Sequence, residues 1–185
     1  MRIHEGSKFF FRDITWVGNT KYTSDQLSKL LRIKKGDPYN TELLNKNVTY
    51  DPTGKDISSL YLDDGYLFFR VMPTELMVEN DSIDIEMRIY EGTQARINNV
   101  TIKGNDRTND YVVMRELKTL PGELFSRDDV IRSVREIQQL GFFNPEKINP
   151  GVKPNVDNGT VDITYEIEEA NSSRVELQGG WGGYS

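Results

Sequence analysis

The sequence contains no cysteine and a single histidine, His4. The first absence removes disulfides, thiolate nucleophiles and Cys-based zinc sites together, and the second leaves histidine chemistry almost nothing to draw on. Nowhere do the roughly eighteen consecutive apolar residues of a membrane helix run together. Cations are outnumbered, 23 Lys and Arg against 29 Asp and Glu, so a general phosphate-binding footprint is not expected and no nucleic-acid partner follows. The segment Met1–Gly6 lacks the apolar core of a signal peptide. What remains is a globular composition, 36% hydrophobic and 28% charged, which suits amphipathic elements with one buried face.

Self-similarity organises the chain. Arg2-Ile3-His4-Glu5-Gly6 recurs as Arg88-Ile89-Tyr90-Glu91-Gly92, and at the same offset of 86 Gly18-Asn19 recurs as Gly104-Asn105 and Gly36 as Gly122. The apolar positions keep this register: Phe11 with Ile97, Leu27 with Val113, Leu31 with Leu117, Leu44 with Val130. Further on, Gly65-Tyr66-Leu67 matches Gly141-Phe142-Phe143 at an offset of 76, so the first copy carries an insertion. Its site is read as Thr49–Asp56, within 48–57, where Pro52 and Gly54 mark a loop. Ile83-Asp84-Ile85 then pairs with Val161-Asp162-Ile163.

Each copy reads as β-α-α-β-β. In the second, Arg96–Ile102 is β-branched and partly alternating, which predicts a strand with one buried face. Asn109 and Asp110 offer caps for a helix bearing Val113, Leu117 and Leu120, stopped by Pro121-Gly122. Ser126 precedes two first-turn acids and a second helix with Val130, Val134, Ile137 and Leu140 on one stripe, closed by Gly141. Two strands follow, 148–156 and 160–168, turning at Asp157-Asn158-Gly159. The first copy repeats the order: a strand near 11–17, a helix after Thr23, a second from Asn40, and strands near 68–78 and 83–90. The expected fold is α+β, two helices on a small three-stranded mixed sheet in each copy. The predicted divisions are 1–6, the tail of a preceding repeat; 7–91, the first repeat; 92–171, the second; and 172–185, a short tail.

Gly-Asn after strand one, Gly between the helices, Gly-Phe-Phe after helix two and a terminal Glu-Gly resemble POTRA domains, the repeats that precede the barrel of BamA-type outer-membrane assembly factors. Ile102–Thr108 and Leu140–Asn144 are similar to the barrel-proximal repeat of that family, and the Gly- and aromatic-rich segment 174–185 resembles the opening strand of its barrel. One strand cannot close a barrel, so 172–185 is expected to lack fixed structure. The resemblance implies the periplasmic arm of a bacterial outer-membrane protein, anchored through a C-terminal barrel. Its partners would be unfolded outer-membrane β-barrel proteins and lipoprotein subunits, with no cofactor. Rival readings are the arm of a two-partner-secretion or organelle import transporter, and a purely structural spacer.

The resemblance also implies strand addition at the sheet edge following helix two. In the second copy Pro145, Pro150 and Pro154 interrupt that edge, so it should be a poor template. The first copy offers Phe69, Arg70, Val71 and Met72, one Pro73, then Thr74, Glu75 and Leu76 running on unbroken through Met77 and Val78. Lipoprotein docking is implied on helix one and the interhelix turn of the second copy, at Arg115, Glu116, Lys118, Pro121, Gly122 and Glu123.

No enzyme is expected. Gly54-Lys55 lacks the spacing and hydroxyl of a phosphate loop. The paired acids Asp63-Asp64, Asp128-Asp129 and Glu168-Glu169 point apart along their elements and read as solvated charge.

Overall fold

In the computed structural model, which describes residues 8–170, the chain divides between Gln94 and Ala95 into two units. The predicted segments 1–6 and 172–185 lie outside the described residues.

The first unit is built from β1 (Phe10–Val17), α1 (Ser24–Leu31), α2 (Thr41–Val48), α3 (Ile57–Leu62), β2 (Arg70–Glu79) and β3 (Ser82–Tyr90). Its sheet runs β1-β3-β2, with β1 parallel and β2 antiparallel to the central strand. Alternation in β3 turns Ile83, Ile85, Met87 and Ile89 to the helices, where they meet Leu27, Leu31, Leu44, Val48, Ile57 and Tyr61 in one core. Each such fully buried side chain contributes about 1.5–3 kcal/mol. Thr23 and Gln26 form a reciprocal capping box on α1, and Asn40 caps α2. Asn80 and Asp81 both take positive φ, 48° and 67°, as a two-residue hairpin between right-twisted strands requires.

Three helices stand here where two were predicted. The insertion falls inside the second helix and cuts it into α2 and α3. Its residues are tied internally: Asp51 accepts from the Thr53 amide (2.9 Å) and hydroxyl (2.8 Å), and Arg32 reaches Asp51 at 3.1 Å. These bonds, those from Thr53 first, hold the Asp51 carboxyl down at about 2. The break leaves the Val48 carbonyl without its helical partner, and Ser58 donates to it at 2.8 Å.

The second unit consists of β4 (Arg96–Lys103), α4 (Asp110–Met114), α5 (Arg127–Gln139), a short 3-10 turn (Pro145–Lys147), β5 (Asn149–Asn155) and β6 (Thr160–Glu166). Its sheet order, β4-β6-β5, is that of the first. Ile97, Val113, Leu117, Val130, Ile137, Val161, Ile163 and Tyr165 are buried. The helix expected to reach Pro121 ends at Met114, and Leu120, expected in the core, is 48% exposed. The Lys118 amide is drawn to Ser133 Oγ at 2.8 Å and Thr119 pairs with the Tyr165 hydroxyl at 2.8 Å, so non-local bonds take the chain off the helical path.

Both units bulge at the same place. The register shifts within β1 and β4, and Asp84 and Asp162 accept the freed amides of Asp13 (3.0 Å) and Asn99 (3.2 Å). In the first unit Arg12 also clamps Asp84 at 2.6 and 2.8 Å, which holds that carboxyl near 2.

Candidate functional site

Within each unit one antiparallel strand lies at the sheet margin, β2 in the first and β5 in the second. Which main-chain groups such a strand offers outward is fixed by its pairing, because successive residues alternate between facing the partner strand and facing away.

On β2, Pro73 pairs with Met87 but has no N–H to give the ladder, so it must occupy an outward position. Val71 and Glu75, two residues either side, therefore also face out. From the other end, Glu79 pairs with Ser82 across the hairpin, which makes Glu79 and Met77 inward and Val78 outward. The two counts meet at a register shift between Glu75 and Met77, with Leu76 as the extra residue. The edge was expected to run unbroken from Thr74 to Val78; it does not. Its outward amides come from Val71, Glu75 and Val78, with the gap at Pro73. Phe69, taken from sequence as part of this edge, precedes β2 and belongs to the core, 9% exposed and stacked on Tyr61 at 4.2 Å. Arg70 lies over the Tyr90 ring at 5.0 Å, and Met72 is 65% exposed on the face away from the helices. The Glu75 carboxylate accepts from the Tyr39 hydroxyl at 2.6 Å; burial and that contact push the Tyr39 hydroxyl up to about 12.

On β5, Pro150 and Pro154 share parity with Val152, opposite Tyr165, Val161 and Ile163. If two of three outward positions are proline, Val152 supplies the one amide among them. Carbonyls remain, but a strand laid alongside would leave its own acceptors unmet. Pro145 stands in the 3-10 turn, outside the strand.

The residues expected to dock a lipoprotein are brought together in a different setting from the one read. Arg115, Glu116 and Lys118 follow α4 instead of riding on it. Arg115 is exposed, beside Tyr111 (5.9 Å) and Glu116 (3.5 Å). The Pro121-Gly122-Glu123 turn is stitched to β4: the Gly122 amide donates to Ile97 O at 2.7 Å and the Ile97 amide to Glu123 O at 2.8 Å. Its backbone is thus occupied in covering the start of β4, and the side chains of Pro121 and Glu123 are left exposed.

One carboxylate in each unit fastens the loop that follows its first strand. Glu91, 9% exposed, accepts from the amides of Thr20 (3.1 Å) and Lys21 (2.9 Å), the Tyr61 hydroxyl (2.8 Å) and the Thr20 hydroxyl. Burial pushes this carboxyl up, but the donors from Thr20, Lys21 and Tyr61 outweigh it and the net displacement is downward. Glu169, read as solvated charge, accepts the Arg107 and Thr108 amides at 2.7 Å each and is likewise held low. The signal available in sequence was the recurrence of Glu at 91 and 169 behind equivalent strands. Among the described residues no cluster of His, Cys, Asp or Glu could hold a metal ion, and no helix is long and apolar enough to cross a membrane.

Comparison with known proteins agrees with this architecture. The chain matches the POTRA family, described as surface antigen variable number repeat, over residues 9–92 and again over 95–170. It is similar to a putative outer membrane protein assembly factor of Treponema pallidum, 24% identical over 94% of this chain and 20% of that protein. It is also 27% identical to outer membrane protein assembly factor BamA of Nitratidesulfovibrio vulgaris, over 94% of this chain and 22% of the relative. The chain thus spans about a fifth of the length of the curated relatives it matches. In backbone it resembles the crystal structure of Haemophilus influenzae BamA POTRA3-5, with a TM-score of 0.74 at 20% identity, over 89% of this chain and 63% of that one. Haemophilus ducreyi BamA lacking POTRA domains 1-3 gives 0.70 at 24%, over 89% and 30%. With both halves matching one repeat family in sequence and two of its solved members in backbone, the chain belongs to the POTRA family, as two tandem repeats of the BamA assembly-factor type.

Proposed function

We propose that these repeats belong to the periplasmic arm of an outer-membrane protein assembly factor and hold unfolded β-barrel clients by strand addition along β2. The observation that carries this reading is the contrast between the two margins: β2 keeps outward amides on either side of one proline, and β5 has two of its three replaced by proline. Strand addition satisfies main-chain donors and acceptors whatever the client's sequence, as an arm serving many clients requires. Each bond nets about 0.5–1.5 kcal/mol, and ordering the client offsets much of the sum, so the grip is weak and releasable. Arg115, Glu116, Lys118 and the exposed side chains of the Pro121-Gly122-Glu123 turn form the face offered to a lipoprotein subunit. The work is grip and orientation, with no bond made or broken.

The test is photocrosslinking in the intact cell envelope. Reactive residues at Arg70 and Glu75 should yield adducts with unfolded outer-membrane proteins, and those at Arg115 and Lys118 adducts with a lipoprotein. Glu75→Pro, which withdraws an outward amide and leaves the ladder to β3 intact, should reduce the client adduct at Arg70. Client adducts confined to Val152 or Lys153 on β5 would overturn the assignment.

A further inference from the structure

Beside the first residues of β2 the sheet and helix layers do not meet. A cleft of about 640 Å³ opens there between Thr49 and Ser58 on the helix side, Phe69 and Val71 on the sheet, and Arg70 and Tyr90 at its rim. On the helix side the Thr49 amide and the Ser58 hydroxyl are already spent. The Thr49 amide donates to Asn45 O at 2.7 Å and the Ser58 hydroxyl to Val48 O at 2.8 Å, so the interior asks for apolar atoms. At the rim Arg88 is held by Glu86 at 2.7 Å, whereas Arg70 rests on the Tyr90 ring and has no carboxylate partner among the described residues.

Strand geometry converts this into a sequence preference. A client residue paired with the outward main chain of Val71 projects its side chain to the same face as Val71, toward the helices and into the cleft. Its two neighbours project to the opposite face, where Arg70 waits. The insertion supplies part of the wall, since Thr49 is its first residue and Ser58 follows its last by two.

We infer that this cleft is a side-chain reading site on the β2 edge, taking an extended client segment whose large apolar residue pairs with Val71 and whose adjacent carboxylate faces Arg70. The inference rests on the strand-addition reading above and adds selectivity to it. A chain that grips any backbone would then grip best those segments that alternate apolar with acidic.

The experiment uses the 185-residue chain and synthetic nonapeptides with a central Phe flanked by Glu, followed by fluorescence anisotropy and backbone amide NMR. Three peptide changes, Lys flanks, a central Ala and an N-methylated central residue, are compared with two protein variants, Arg70→Glu and Thr49→Trp. The Glu-flanked peptide should perturb the amides of 70–72, and Lys flanks should weaken it about threefold to fivefold, the range of an exposed ion pair. Arg70→Glu should reverse that preference, and this charge swap is the decisive result. Central Ala should cost about tenfold or more, and Thr49→Trp, at an exposed site, should block the cleft. Equal binding by Glu- and Lys-flanked peptides, or no reversal with Arg70→Glu, would overturn the inference; so would concentration-dependent shifts at 70–72 without peptide, which would assign the cleft to a second copy of the chain. If N-methylation weakens binding while flanks and central residue do not matter, strand addition stands and the reading site falls. If no peptide perturbs β2, strand addition itself falls.

Discussion

Glu91→Gln should destabilise the first repeat and spare the second. One Glu91 oxygen accepts from Thr20, the other from the Lys21 amide at 2.9 Å and the Tyr61 hydroxyl at 2.8 Å. Glutamine keeps an acceptor on one side only, so on the other side two donors, part-buried or buried, face its side-chain NH2. Each orphaned donor costs about 1–3 kcal/mol, giving about 2–4 kcal/mol once the Tyr61 hydroxyl has rotated to what relief it can find. For a repeat of this size that lowers the unfolding midpoint by at least about 10 °C. The reporter is Trp16, whose indole N–H donates to Ser28 at 2.8 Å inside the first repeat; Trp181→Phe removes the other indole. Urea unfolding by fluorescence, with hydrogen exchange of the second repeat as internal control, gives the loss. The pH dependence adds an independent check. A carboxyl held below its unfolded value, ordinarily near 4.5, stabilises above that value and loses the contribution as pH falls through the folded one. Glu91→Gln should therefore flatten the decline in first-repeat stability below about pH 4.5. A loss under about 0.5 kcal/mol, the scatter of an indifferent surface change, would refute the reasoning.

Three further outcomes follow from particular contacts. Gly104→Ala, at φ +96°, would set a Cβ 1.8 Å from the Ile167 carbonyl and should cost more than about 3 kcal/mol, whereas Gly122→Ala, at φ +90° with open space around it, should cost only the about 1–2 kcal/mol of left-handed backbone; denaturant midpoints compare the two. Tyr165→Phe strands the buried Thr119 hydroxyl and should cost about 1–2 kcal/mol, while Tyr165→Met with Thr119→Ile, the residues at the equivalent positions Met87 and Ile33, should recover most of it in the same melts. Asp51→Ala removes the acceptor through which Thr53 and Arg32 tie down the insertion and should hasten tryptic cleavage after Lys55 without abolishing the fold, as timed by gel.

The repeat order and the helix starts at Thr23, Asn40 and Ser126 were legible because caps and apolar spacing are local properties of the chain. Distant partners were not. Val113, Leu117 and Leu120 keep a helical period that the structure abandons after Met114, and what overrides it comes from Ser133 and Tyr165, 15 and 46 residues away. The prolines of the second edge were visible, but the direction they face depends on register against β6, which needs the partner strand. The bulge at Leu76 escaped notice for the same reason. The insertion was visible as a loop; that it divides a helix became clear only with Ile57–Leu62 in place as α3. Glu91 and Glu169 look like ordinary surface acids until the Thr20–Lys21 and Arg107–Thr108 amides are seen converging on them.

The proline-bearing hem of the second repeat also bears on crowding. Two copies meeting through β2 would pair like with like about a twofold axis, and such a contact closes on itself. Growth into a fibre needs a second, different sticky border on the same chain, and Pro150 and Pro154 withhold it along β5. Along that pair of borders, copies standing side by side therefore risk doublets but not runaway stacking.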